Sequence, residues 1–137
     1  MDEGKNGYKL PRLFGKYYLL ELINVGGMAE VFKAKMFGVE GFEKIVAIKK
    51  ILPEVAEDGE FIKMFIDEAK ISVRLQHPNI VQILELGKID DSYFIAMELV
   101  NGKDLKTIRK RLKRVDLLMP VEQSAYIVSQ VSDGLDY

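Results

Sequence analysis

The sequence predicts an α+β fold: a five-stranded antiparallel sheet packed against one helix, followed by two more helices. Strand-like segments are interrupted once by a helical segment, which gives the order β-β-β-α-β-β before the chain becomes helical. That order suits an antiparallel sheet with a helix on one face. The 137 residues are enough for one domain with a buried core.

The five strands are predicted from alternating, β-branched or aromatic residues with turn residues between them. Gly26-Gly27 separates the first two strands, so these should form a hairpin. Asp90-Asp91 separates the last two. The predicted strands cover residues 16–25, 29–35, 44–52, 80–89 and 92–100.

A helix is predicted over roughly residues 57–76, and its apolar stripe contains one acidic residue, Glu68. The apolar members of the stripe are Phe61, Met64, Phe65, Ile71 and Leu75. If Glu68 faces the sheet, burial of its charge requires a cation, because an unpaired buried carboxylate is costly. Periodicity alone equally allows Glu68 to lie at the edge of the stripe and face solvent.

The strand 44–52 offers the cation. Alternation places Ala47 and Lys49 on one face and Val46 and Ile48 on the other, so Lys49 is the candidate partner of Glu68. Lys50 points to the opposite face, where we expect it to have no special role.

The chain becomes strongly basic and helical after Asn101-Gly102. Residues 103–114 contain seven Lys or Arg, and we expect a solvated helix rather than a nucleic-acid site, because no aromatic residues interleave with the charges. A last helix begins near Pro120 and has no capping signal before Tyr137, so it is expected to be cut short. Its apolar or small face comprises Val121, Ser124, Ala125, Val128, Val131 and Leu135.

Composition excludes several classes of function. The net charge of −1 argues against a protein-wide attraction to nucleic acid or membrane. The absence of cysteine excludes disulfide and thiolate chemistry, and a single histidine excludes a His-rich metal site. The sequence contains neither a signal peptide nor a membrane-spanning run. We therefore expect a cytoplasmic protein, with a membrane anchor further downstream left open.

Five short motifs follow one another in an order that resembles a known family. They are "NVGGMAEV" (24–31), "VAIK" (46–49), "DEAK" (67–70), "HPNIV" (77–81) and "MELVNGKDL" (97–105). From about Gly15 to the end, the chain resembles a bacterial, eukaryotic-like Ser/Thr protein kinase. The fold implied is the kinase N-lobe, over residues 16–100, followed by the first helices of an incomplete C-lobe, over 101–137. Residues 1–15 are expected to be an N-terminal lead-in.

The resemblance implies an ATP site. The glycine-rich loop would cover the ATP phosphates, while Lys49 would hold the α- and β-phosphates and pair with Glu68. The loop positions carried over are Asn24, Val25, Gly26, Gly27, Met28, Ala29, Glu30 and Val31.

The rest of the ATP site is carried over in the same way. Ile23, Val31 and Ala47 would enclose the adenine, and Met97 would be the gatekeeper. The Glu98 carbonyl and the Val100 amide would bond the adenine edge, and Asp104 would lie near the ribose.

The loop departs from the family pattern at two positions. Asn24 stands where the first loop glycine is usual, which should cost little if the position needs a positive φ, because Asn tolerates one. Ala29 replaces the third glycine, and its Cβ should limit how closely the backbone approaches phosphate. Weakened or altered nucleotide binding is therefore an open alternative.

The H-R-D, D-F-G and A-P-E motifs of the family are absent from these 137 residues. The resemblance therefore implies the ATP-binding part of an ATP-dependent serine/threonine kinase whose catalytic base and Mg²⁺ ligands lie further along a longer parent. We expect this piece alone to be inactive and to self-associate through its uncovered last helix. The parent would act on protein substrates. The alternative is a non-catalytic nucleotide-binding or scaffolding module, similar to a pseudokinase.

Overall fold

A computed structural model describes residues 9–137, and these residues form two compact units. The first unit comprises the chain up to Leu75 together with Gln82–Leu99, and the second comprises Gln76–Val81 with Val100–Tyr137. Of the predicted lead-in, residues 1–8 lie outside the described part.

The first unit is an antiparallel sheet of six strands, in the order β1-β2-β3-β4-β6-β5, curled into a half-barrel. The α+β class is confirmed, and the sheet has one strand more than predicted because the lead-in contributes a short edge strand. The strands are β1 (Arg12–Phe14), β2 (Tyr17–Val25), β3 (Ala29–Phe37), β4 (Glu43–Ile51), β5 (Ile83–Ile89) and β6 (Ser92–Glu98). Short 3₁₀ turns occupy Val39–Gly41 and Pro53–Val55.

Helix α1 (Gly59–Ser72) covers one face of the sheet. Asp58 caps its N-terminus by accepting a hydrogen bond from the Glu60 N–H at 2.9 Å. Phe65 and Ala69 are its buried residues, and they pack with Ile95 of β6.

The predicted helical stripe was therefore partly wrong. Met64 is 55% exposed and Ile71 is 65% exposed, because the face against the sheet is centred on Phe65 and Ala69. The buried arc is narrower than the apolar pattern indicates.

The other face of the sheet is also buried, because curling brings the β1–β2 region against β5 and β6. Phe14 and Tyr17 both make edge-on ring contacts with Phe94, at centroid separations of 5.4 and 5.5 Å. Val46 and Ile48 of β4 are fully buried in this cluster. Strand β4 thus contributes side chains to hydrophobic cores on both faces of the sheet.

A polar contact joins β2 to β5 across the half-barrel. Glu85 accepts a hydrogen bond from the Tyr17 hydroxyl and forms a salt bridge of 2.6 Å with Lys16. Burial acts to raise the pKa of Glu85, but the bonds from Lys16 and Tyr17 and the Lys16 charge outweigh it, so the pKa is lowered. Burial and the contact with Glu85 raise the pKa of Tyr17.

The second unit contains α2 (Leu105–Arg114) and α3 (Val121–Asp136). Asn79 donates a hydrogen bond to the Gln130 carbonyl at 2.9 Å, and His77 lies 3.3 Å from Asp133. These contacts hold the segment 76–81 against α3. The predicted apolar face of α3 is open, with Val128 and Leu135 at 64% and 83% exposure. Within residues 9–137 no helix is long and apolar enough to cross a membrane.

The lowered pKa of Glu85 makes stability depend on pH. The folded state favours the charged carboxylate, so the stabilisation is present above the ordinary pKa of 4.5 and is lost as pH falls through the lowered folded value. Glu85→Gln should therefore lower the free energy of unfolding at pH 7 and have a smaller effect near pH ~3, measured by urea unfolding. Glu54→Gln, at an exposed carboxylate, is the control. An equal loss at both pH values would contradict this account.

Candidate functional site

The centre of the site is a salt bridge between the sheet and α1. Lys49 Nζ on β4 lies 2.7 Å from Oε1 and 3.0 Å from Oε2 of Glu68 on α1. The same ammonium lies 5.8 Å from the centroid of the Phe65 ring. The Lys49 side chain is 25% exposed and that of Glu68 is 51% exposed. Glu68 thus lies at the edge of the helical stripe, but its partner is Lys49 rather than solvent alone.

Three of the residues expected near adenine share the α1 face of the sheet with Lys49: Val31, Ala47 and Met97. Val31 of β3 is paired directly with Lys49, and Ala47 is paired directly with Met97 of β6. Directly opposed residues of an antiparallel pair lie on one face. These four side chains therefore form neighbouring positions on one surface, with the small Ala47 beside the lysine. Their contact with adenine stays a prediction.

The glycine hairpin lies at the end of the same strands. The Gly26 N–H donates to the Ala29 carbonyl at 2.8 Å, and the Leu52 N–H donates to the Met28 carbonyl at 2.9 Å. Neither Gly26 nor Gly27 has a φ in the left-handed region, and a Cβ at Gly27 would meet no atom within 4 Å. The hairpin itself therefore leaves room for a side chain at Gly27, and the approach of phosphates to this position stays a prediction.

The hairpin also leaves apolar side chains uncovered. Ile23, Val25 and Met28 are 49%, 43% and 39% exposed, respectively. A β-bulge in β2 falls between Leu22 and Asn24 and interrupts the regular pairing with β3 there. Three exposed apolar groups beside a glycine turn are available to a partly apolar ligand.

The structure explains one of the two departures from the family pattern. Asn24 is a strand residue opposite Val31 and does not use a positive φ, so the reason offered for it from the sequence was wrong. The Ala29 methyl group is buried, at 6% exposure, in the cluster that contains Ile51 and Phe65. The methyl group at this position therefore contributes to packing beneath the hairpin.

Glu30 lies on the opposite face of the sheet from Val31 and Lys49. It is directly paired with Lys50, and the two residues are 3% and 8% exposed. Its side chain is thus on the other side of the sheet from the Lys49–Glu68 pair, and the expectation that Lys50 is ordinary was wrong. Burial, together with the Arg12 charge, lowers the pKa of Lys50, and the Glu30 charge opposes this shift.

A cavity of about 390 Å³ adjoins the Lys49–Glu68 pair. The hairpin, β4 and α1 form its walls, including Met28, Phe61 and Met64. No pattern in the sequence indicates this cavity.

The remaining predicted residues lie at the end of β6 or belong to the second unit. The Glu98 carboxylate accepts a hydrogen bond from the Gln82 N–H at 2.9 Å. In the second unit Val100 is 63% exposed, and Asp104 caps α2. The bonds that Asp104 accepts from the Thr107 N–H, at 2.7 Å, and the Thr107 hydroxyl, at 2.8 Å, lower its pKa. Among residues 9–137 no group of three or more acidic, His or Cys residues is arranged to hold a metal ion.

Comparisons with known proteins agree with this arrangement. The family model described as the protein kinase domain matches residues 17–137. The chain is 39% identical over 124 residues to the tyrosine-protein kinase MasK of Myxococcus xanthus, which covers 90% of this chain and 19% of that protein. It is 44% identical over 95 residues to the serine/threonine-protein kinase PrkC of Bacillus subtilis, covering 69% of this chain and 14% of PrkC.

Solved structures show the same fold. The crystal structure of the Mycobacterium tuberculosis PknI kinase domain superposes with a TM-score of 0.74 at 29% identity, covering 95% of this chain and 50% of that chain. The sheet with its packed helix and the helices that follow thus form part of a kinase-like fold. The chain belongs to the protein kinase family. It spans about half of the PknI kinase domain and about a fifth of MasK.

Alanine substitutions at two glycines with different surroundings should have different effects, one on nucleotide affinity and the other on stability. Gly27→Ala should change the free energy of unfolding by less than about 1 kcal/mol. It should weaken binding of an ATP analogue by about tenfold, or ~1.4 kcal/mol, because the hairpin is predicted to cover the ATP phosphates and the added Cβ would limit their approach. Titration calorimetry on the whole protein measures the affinity.

Gly15→Ala is the matched control. Gly15 has a φ of +56°, and a Cβ there would lie 2.5 Å from Ile89 Cδ1, so this variant should lose stability. Unchanged nucleotide affinity in Gly27→Ala would contradict the assignment of the hairpin.

Proposed function

We propose that the chain is the ATP-binding portion of a protein serine/threonine kinase, which transfers the γ-phosphoryl group of Mg-ATP to a hydroxyl of a protein substrate. The observation that carries the proposal is the Lys49–Glu68 salt bridge beside a glycine hairpin. In this family that lysine orients the α- and β-phosphates, and the helix glutamate fixes the lysine. The family's Mg²⁺ ligands belong to motifs that these 137 residues do not contain.

The chain's own residues would act by positioning charge rather than by covalent chemistry. Lys49 supplies a fixed positive charge for the phosphates, and Glu68 holds it through two oxygen contacts. Ala47 leaves a shallow surface between Val31 and Met97 on which a planar adenine fits. We propose that ATP lies there, with its phosphates under the hairpin.

Serine and threonine are the acceptors we propose. The relatives PrkC and PknH bear the name serine/threonine-protein kinase, whereas MasK is named a tyrosine-protein kinase. Phosphoamino-acid analysis of the product distinguishes serine or threonine from tyrosine as the acceptor. Phosphotyrosine alone would overturn the acceptor assignment and leave the ATP site intact.

We propose a cytoplasmic setting for this domain, where ATP is available.

Lys49→Met should lower phosphoryl transfer by the whole protein at least about 100-fold, because the phosphates lose their fixed cation. Lys44→Met, at an exposed lysine of the same strand, should leave the rate close to that of the unmodified protein. The assay is transfer of radiolabelled phosphate to a protein substrate. Full activity in Lys49→Met would refute the proposed role.

The 137-residue chain alone should transfer no phosphate, since it contains no H-R-D or D-F-G motif. Turnover by the purified chain would show that the catalytic residues lie within it.

A further inference from the structure

Positive charge is concentrated in one short segment of the second unit. Residues 103–114 hold seven of the 20 Lys and Arg and only one of the 21 acidic residues. That acid, Asp104, already accepts two hydrogen bonds as the cap of α2. All seven cations are exposed, and within residues 9–137 none forms a salt bridge. They are Lys103, Lys106, Arg109, Lys110, Arg111, Lys113 and Arg114.

Four of these cations form one surface of α2, which we call the cationic stripe: Lys106, Arg109, Lys110 and Lys113. At 3.6 residues per turn they fall within an arc of about 100°. Ile108 and Leu112 are partly buried on another side of the helix.

The stripe is unfavourable for the helix that carries it. Like charges four positions apart repel each other, and the stripe contains two such pairs, Lys106/Lys110 and Arg109/Lys113. Lys106 also lies in the first turn, where the helix dipole disfavours a cation, whereas Lys113 is favoured in the last turn. Within the described residues no salt bridge offsets the repulsion, so an external anion would stabilise this surface.

We propose that the cationic stripe binds an acidic segment of a partner protein. Successive stripe residues four positions apart rise about 6 Å along the helix. Side chains on one side of an extended peptide repeat every ~6.6 Å, so alternating acidic residues match this spacing. The proposal does not depend on the kinase assignment.

A protein partner fits better than a nucleic acid. The segment 103–114 has no aromatic side chain on which a base could stack. Outside this segment the acidic residues outnumber the cations, 20 to 13, by subtraction from the 21 and 20 of the whole chain. A long polyanion would therefore meet repulsion beyond the stripe, whereas a short acidic peptide would not.

Two neighbouring residues provide a matched test. Lys110 lies in the stripe, and Arg111 lies about 150° from its centre on the same helix, although each variant makes the same change in charge. The probe is a fluorescein-labelled peptide of alternating glutamate and serine, measured by anisotropy on the whole protein at one ionic strength. Lys110→Glu should weaken binding by about fivefold, and Arg111→Glu by less than about twofold. Circular dichroism checks the fold, and Lys110→Gln, with a smaller expected loss, gives a milder second variant.

The binding measurements distinguish an acidic peptide from the other possible partners, duplex DNA and an anionic membrane. Binding that falls in Lys110→Glu and Lys110→Gln but not in Arg111→Glu supports the proposal. Equal weakening by Lys110→Glu and Arg111→Glu would show that the peptide responds only to the overall positive charge of the helix, and this would overturn the proposal. The proposal also fails if the peptide does not bind, or if duplex DNA or phosphatidylserine vesicles bind more tightly than the peptide under the same conditions.

Discussion

The salt bridge between Lys49 and Glu68 is a polar contact that joins β4, the strand beside the glycine hairpin, to α1. Its contribution to stability is small, because a partly exposed ion pair is worth about 0–1 kcal/mol. The helix is held on the sheet mainly by Phe65 and Ala69, which are buried against Ile95. The salt bridge therefore depends on the position of the helix but contributes little to holding the helix there.

The position of Lys49 is set by the strand that carries it. Val46 and Ile48 are fully buried on one face of β4, while Ala47 and Ile51 are buried on the other. The strand is paired with β3 on one side and β6 on the other. The salt bridge between Glu85 and Lys16, in the turn between β1 and β2, lies beside the hydrophobic core in which Val46 is buried. Because the strand is constrained on both sides and both faces, little further conformational entropy is lost when the Lys49 ammonium is held within reach of the helix.

Sequence patterns were sufficient for the succession of the five longer strands and the helices along the chain, for the hairpin, and for the pairing of Lys49 with Glu68 as one of two alternatives. These features depend on local periodicity and on a single uncompensated charge. The patterns failed where curvature decides burial. Alternation assigns Lys50 to the face opposite Lys49 but cannot show that the curled sheet buries that face as well. Arg12–Phe14 was missed because three residues between breakers carry too little pattern to indicate a strand. The apolar Met64 and Ile71 are exposed because they line an open cavity rather than the core.

The most direct test of the account is a double-mutant cycle on nucleotide affinity in the whole protein. Lys49→Met, Glu68→Gln and the double variant would each be titrated with a non-hydrolysable ATP analogue, and their unfolding measured in urea. If Glu68 acts through Lys49, then Glu68→Gln weakens binding when Lys49 is present and has no further effect in Lys49→Met, with stability changed by less than about 1 kcal/mol. Equal losses from Glu68→Gln in both backgrounds would show that the two residues act independently and would contradict the account.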